Sequence, residues 1–148
     1  MEFLAENKKA FFNYEVLEKF NTGIELLGLE VKSLKAKRGT LDGAYISVRG
    51  NEVFLLGATI PPYQPNNTPA DYEPTRPRRL LLTKKEISQL IGWENKKGLT
   101  IIPLSLYNSA RKIKVTIAVV RGKKKYDKRE VLKKREASRE IERTLKNF

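Results

Sequence analysis

The sequence predicts a small, strand-rich domain curled into a closed or partly open barrel, with attached helices and a basic C-terminal segment. Three observations predict it. Most of the chain divides into short apolar or alternating runs separated by turn residues. Only two stretches carry helical periodicity, whereas a parallel α/β sheet needs a helix after most strands. The positive charge also sits at one end: residues 1–110 hold 15 basic and 12 acidic residues, and residues 111–148 hold 15 and 5. The expected division is a barrel over residues 1–121 and a basic tail over 122–148.

From Phe12 to Phe20 the chain alternates. Phe12, Tyr14, Val16 and Phe20 are apolar or aromatic and Glu18 is out of pattern, as in a half-buried strand. Gly23, after Asn21 and Thr22, reads as a turn, with Ile24 and Leu26 beginning a second strand. Leu27, Val31 and Leu34 then recur at helical spacing until Gly39 stops the run. Tyr45 to Arg49 and Val53 to Leu56 flank Gly50-Asn51-Glu52 and read as a hairpin with a short loop.

Residues 61–79 hold six of the seven prolines, so this stretch is neither helix nor central strand. It is long for a loop, which makes it functional or mobile. Thr83, with Glu86 three residues on, forms a capping box. The helix it opens has Ile87, Leu90, Ile91 and Trp93 as its buried stripe, and Gly98 ends it. Thr100 to Leu106 is an apolar strand, and Pro103 within it implies an edge or a bulge. Lys112 to Val120 is the clearest strand. Ile113, Val115, Ile117 and Val119 face one way, and Lys112, Lys114, Thr116 and Ala118 the other.

Thirty Lys and Arg against seventeen Asp and Glu give a net charge of +13 at pH 7. Such a balance speaks about partners, and nucleic acid is the usual polyanion, because each neutralised phosphate releases counterions. A chain that is merely basic and soluble, or one that lies on a membrane surface, is the competing reading. No run of 18 apolar residues is present and the N-terminus lacks the order of a signal peptide, so a cytoplasmic protein is expected. Cysteine is absent, which excludes disulfides and thiolate metal sites. Histidine is absent too, and with it the commonest metal ligand and the best proton carrier near neutral pH. There is no phosphate-binding loop of the GxxxxGK[ST] type, and no carboxylate spacing suggests a two-metal site. The expectation is a binding protein with no catalytic centre, cofactor or metal.

Within the body, Arg76, Arg78 and Arg79 end the proline-rich stretch, and Tyr63 and Tyr72 offer rings on which bases could stack. A plain excursion over the barrel surface is the alternative. Glu30 stands in the first turn of its helix, where a carboxylate suits the dipole. Lys84 and Lys85 stand in the first turn of theirs, where the dipole disfavours them; a use for them and simple solubility are equally fair accounts. Residues 122–148 favour helix by propensity but have few sizeable aliphatics. Arg135, Arg139 and Arg143 repeat at i, i+4, where like charges repel by roughly 0.2–0.5 kcal/mol per pair. Against phosphates that repulsion becomes attraction. A tail disordered when free and helical when bound is therefore expected, with a charge-laced helix docked on the body as the alternative.

Several separated motifs, ENKKA at 6–10, LEVKSLKAKRGTLDGAY at 29–45, PRRLLLTKKEI at 77–87, PLSLY at 103–107 and RGKKKYDKRE at 121–130, resemble the SmpB family of SsrA-binding proteins. The likeness runs from about Glu6 to the C-terminus. It implies an OB-like antiparallel barrel with attached helices. It also implies a protein that binds the tRNA-like domain of transfer-messenger RNA and enters the A site of a stalled ribosome in trans-translation. The implied partners are that RNA, the small-subunit decoding centre and mRNA channel, and elongation factor Tu with the alanylated RNA. The free protein is expected to be a monomer. An unusual ribosomal or translation-factor OB protein is the remaining competitor.

The resemblance puts Asn7, Tyr14, Gly23 and Leu81 on the RNA-contacting side. Their neighbours Lys8, Lys9, Glu30, Lys32, Arg76, Arg78, Arg79 and Lys84 complete the expected surface. Asn21 stands where the family often has glutamate, and Thr83 where it has histidine or asparagine; both keep a polar group and stay in the set. In the tail the resemblance covers Asp127, Lys128 and Arg129 and the basic stretch after them. Lys133, Lys134, Arg135, Arg139, Ile141, Arg143, Leu145 and Lys146 are the expected ribosome contacts. Ala137 replaces an aromatic of some relatives, leaving Ile141 or Leu145 to carry that contact.

Overall fold

The computed structural model describes residues 2–122. Seven strands form one antiparallel sheet in the order β1-β6-β7-β2-β5-β4-β3. They are β1 (Glu2–Glu6), β2 (Tyr14–Ile24), β3 (Tyr45–Arg49), β4 (Glu52–Leu56), β5 (Arg78–Leu81), β6 (Leu99–Ser109) and β7 (Lys112–Gly122). Three helices are attached: α1 (Lys8–Asn13), α2 (Gly28–Lys35) and α3 (Lys84–Glu94). The sheet curls so that β3 comes against β6 without pairing to it, giving the partly open form of the expected OB-like barrel.

β7 behaves as its alternation predicts. Val115, Ile117 and Val119 point into the main core with Leu34, Leu55, Ile60, Leu90 and Leu106. Its other face is buried too, toward the C-terminal end. Ala118 and Val120 pack with Ile102, Leu104 and Ala10 in a second, smaller cluster. Ala10 brings α1 onto that face, and β6 is buried on both sides from Ile101 to Tyr107. Pro103 sits at a register shift between Pro103 and Ser105, and β1 pairs with β6 only over Ser105–Asn108. The proline therefore stands both at a bulge and at a stretch of β6 paired on one side alone. The β3–β4 hairpin turns at Gly50, whose φ of +62° suits glycine.

α3 starts as read. The Thr83 hydroxyl accepts from the Glu86 N–H at 3.2 Å, and the Glu86 carboxylate accepts from the Thr83 N–H at 3.0 Å. Leu90 is fully buried, Ile87 and Trp93 are half-buried against the core, and Ile91 is 37% exposed and stands outside it. In α2, Leu34 is the buried anchor, while Leu27 just outside the helix remains exposed.

Three expectations need correction. Phe12 belongs to α1, and the strand begins at Tyr14. Gly23 is no turn: β2 runs through it to Ile24, so no separate strand starts there. The alternation from Tyr14 to Phe20 does not mark one face, because a bulge between Val16 and Glu18 shifts the phase of the strand. Tyr14 and Val16 pack on the smaller cluster, while Glu18 and Phe20 lie on the opposite face, Phe20 in the main core. β1, α1 and β5 were not foreseen as elements.

Candidate RNA-binding surface

The proline-rich loop is tied down by a buried charge cluster. Glu30 and Arg78 are both completely buried, and Arg76 is partly so. The Glu30 Oε2 accepts from Arg78 Nε at 2.9 Å and Nη2 at 2.6 Å, and from Arg76 Nε at 3.1 Å. Its Oε1 accepts from Arg76 Nη2 and, at 2.8 Å, from the Leu27 N–H at the start of α2. Arg78 also donates to the Ala58 and Pro74 carbonyls, at 2.9 and 2.8 Å. The Tyr72 hydroxyl donates to the Ile60 carbonyl at 2.7 Å and lies 3.1 Å from Glu30. Burial alone would raise the pKa of Glu30. The hydrogen bonds from Arg76, Leu27 and Arg78, with the charge of Arg78, outweigh it and hold the carboxyl below its ordinary value. For Tyr72, burial and the charge of Glu30 push the hydroxyl up, so it stays a donor at neutral pH.

The cluster corrects part of the expected surface. Glu30 and Arg78 have no exposed area and hold the fold; neither faces a ligand. Arg76 spends its guanidinium on Glu30, and Tyr72 spends its hydroxyl in the same place. Tyr63 is more open, with Arg38 over its ring at 5.4 Å and donating to its carbonyl at 3.1 Å. Arg79 is half-exposed, 3.5 Å from Glu25 and 3.9 Å from Glu52, an exposed arrangement that stabilises little. Lys32 is exposed on α2, away from these bonds.

The remaining body residues separate into two groups at opposite ends of β2. At one end, Gly23 pairs with Leu81 on one side and Lys114 on the other. A Cβ on Gly23 would lie 3.2 Å from that of Leu81, so the glycine permits the close approach. Leu81 is 48% exposed, a large apolar side chain open to solvent in a sheet. Gly23, Ile24, Leu26, Val31, Leu81 and Ile113 line a shallow groove, and Arg111, Lys112 and Lys114 rim it. Asn21 is exposed nearby on β2, its Oδ1 accepting from the Thr116 hydroxyl at 2.9 Å. Thr83 and Lys84 follow directly on β5 at the start of α3. An apolar floor with a cationic rim can seat the face of an unpaired base while its phosphates meet the lysines and arginine.

Sequence reasoning missed the rim. Lys112 and Lys114 were visible as the polar face of β7, but nothing local set them beside Gly23; that adjacency comes from the β2–β7 register.

At the other end, Tyr14 pairs with Gly122, and Lys8 and Lys9 are exposed on α1. Asn7 is buried, its side-chain amide donating to the Pro103 carbonyl at 3.0 Å and its backbone N–H to the Leu104 carbonyl at 2.8 Å. Asn7 therefore fixes α1 against the β6 bulge. The expected tail contacts Asp127, Lys128, Arg129, Lys133, Lys134, Arg135, Arg139, Ile141, Arg143, Leu145 and Lys146 lie outside the described residues. Among the described residues no group of carboxylates could hold a metal, and no helix is long and apolar enough to cross a membrane.

Comparison with known proteins agrees with this architecture. A family model described as "SmpB protein" matches residues 4–147. An SsrA-binding protein of Thermosipho africanus is 50% identical over 99% of this chain and 98% of its own. One of Clostridium acetobutylicum is 44% identical over 97% and 92%. A solved structure described as "tmRNA-SmpB: a journey to the center of the bacterial ribosome" superposes with a TM-score of 0.68 at 38% identity, covering 86% of this chain and 92% of that one. The partly open barrel and matches that span nearly the whole sequence show that the chain belongs to the SmpB family of SsrA-binding proteins.

Proposed function

We propose that this protein binds the tRNA-like domain of transfer-messenger RNA and delivers it to the A site of stalled ribosomes in trans-translation. The observation that carries the reading is the likeness to relatives named as SsrA-binding proteins over almost the full chain. The groove between Leu81 and the β6–β7 hairpin supports it with a surface suited to unstacked bases and phosphate. The protein performs no bond chemistry, acts as a monomer in the cytoplasm, and meets elongation factor Tu through the alanylated RNA. Residues 122–148 serve the ribosome, occupying its empty mRNA path beside the decoding centre.

The test is selection. The purified protein should prefer the tRNA-like domain over the same quantity of ordinary tRNA at fixed salt; equal binding to both would overturn the reading. The division of labour has its own measurement. A chain ending at Gly122 keeps every element described here and should bind the tRNA-like domain nearly as well as the full chain. A loss greater than about 100-fold, about 2.7 kcal/mol, would show that the last residues belong to the same RNA site.

A further inference from the structure

β6 and β7 are joined by two residues, Ala110 and Arg111, between the paired Ser109 and Lys112. Both take left-handed backbone angles, with φ of +48° and +69°. A two-residue hairpin that needs positive φ at both places favours Asn-Gly, because an L-residue's Cβ there crowds the following carbonyl. This turn has neither residue. Elsewhere the same chain obeys the rule: the β3–β4 hairpin puts Gly50 at its left-handed position. Lys37, just after α2, is a single left-handed residue outside the hairpins. Of these two tight hairpins, the exception is the one that rims the groove of Gly23, Leu26 and Leu81. Among the described residues, Arg111, Lys112 and Lys114 form no ion pair, and no carboxylate lines the groove.

We propose that the β6–β7 turn tolerates this strain because it fixes Arg111 at the mouth of the groove, where the guanidinium grips a backbone phosphate of the RNA whose base lies on Leu81. The proposal rests on the RNA-binding reading above. Strained residues persist where the surrounding structure over-determines them, and the long β6–β7 ladder does so here. Lys112 and Lys114 supply charge from the strand itself. Arg111 adds a planar fork, which can bind two phosphate oxygens at once and so set the register of the strand passing over the groove.

The experiment uses the full-length protein, a transcript of the tRNA-like domain, a salt series and thermal melts. A110N keeps Arg111 and puts a favoured residue in the first turn position. A110N/R111G installs the favoured pair and removes the guanidinium. R49S removes an exposed arginine near the tip of the other hairpin. The expected result is wild-type RNA affinity for A110N and for R49S. A110N/R111G should melt higher than wild type yet bind about tenfold more weakly, with a shallower salt dependence matching one lost phosphate contact. The proposal is overturned if A110N/R111G binds as wild type, if it melts lower than wild type, or if R49S loses as much affinity. Should the wild-type protein itself fail to prefer the tRNA-like domain over tRNA, the functional reading fails and takes the proposal with it. Normal wild-type selection with no effect of Arg111 sinks the proposal alone.

Discussion

Replacing Glu30 by glutamine is expected to cost about 3–5 kcal/mol of folding stability, measured by denaturant unfolding at neutral pH. Against the 5–15 kcal/mol typical of a whole domain, that is a large fraction. The reason is the partner left behind. Arg78 is completely buried, and glutamine keeps a carbonyl for it but no countercharge. Arg76 loses less, being partly exposed, so R76A should cost distinctly less than E30Q. A second substitution checks the cause. In R78M the buried cation is gone and Glu30 still has Arg76. E30Q/R78M should therefore be far less destabilised than the two single costs added, with a coupling of at least about 1 kcal/mol. Additive costs would mean the two side chains do not form one unit.

The same cluster sets a pH signature. Glu30 has a lower pKa folded than unfolded, so its contribution is complete above the unfolded value near 4.5 and is lost as pH falls through the folded one. Wild-type stability should drop through that acid range, and E30Q should show a flatter profile there. The two proteins would then differ most at neutral pH and converge in acid. Parallel profiles would mean that Glu30 is not charged in the native state.

Changing Arg135, Arg139 and Arg143 together to alanine should leave binding to the isolated tRNA-like domain intact and reduce tagging on stalled ribosomes by an order of magnitude or more. The three recur at i, i+4 in a segment with few sizeable aliphatics, and arginine forks to phosphate oxygens with directed hydrogen bonds. Alanine preserves helix propensity, so a defect would report lost contacts. A tagging assay run beside an RNA-binding assay separates the two activities. Normal tagging by the triple variant would falsify the role given to these arginines, and an equal loss in both assays would place them at the RNA groove instead.

What could be read from the sequence was whatever local pattern controls. The alternation of β7, the Thr83–Glu86 capping box and the Gly50 hairpin all depend on residues within a few positions, and all three stand. The bulge between Val16 and Glu18 defeated the period of β2, because one extra residue moves every later side chain to the other face. Its continuation through Gly23 was hidden because a glycine that admits a neighbouring strand looks like one that permits a turn. From sequence alone Arg78 reads as an RNA contact, because charge usually marks a surface. Its partner Glu30 lies 48 positions earlier, and no local signal joins them. The family resemblance supplied Gly23 and Leu81, but the cations beside them needed the register of β2 with β7.

That ladder also fixes a length. β2 and β7 stay paired from Tyr14 and Gly122 at one end to Gly23 and Lys114 at the other. Nine steps of extended chain span roughly 30 Å. The groove's cations and Gly122 are thus mounted on the two ends of one beam, with Val115, Ile117, Ala118, Val119 and Val120 buried between them. A beam of this kind has a graduated scale. Lengthening both strands by one residue would turn the faces over, and lengthening by two would keep the faces but move the ends apart by about 7 Å. The spacing between Gly122 and the groove can therefore change only in coarse increments, unless the change is absorbed at an irregularity. β2 has one, at Val16–Glu18, close to the end where Tyr14 pairs with Gly122.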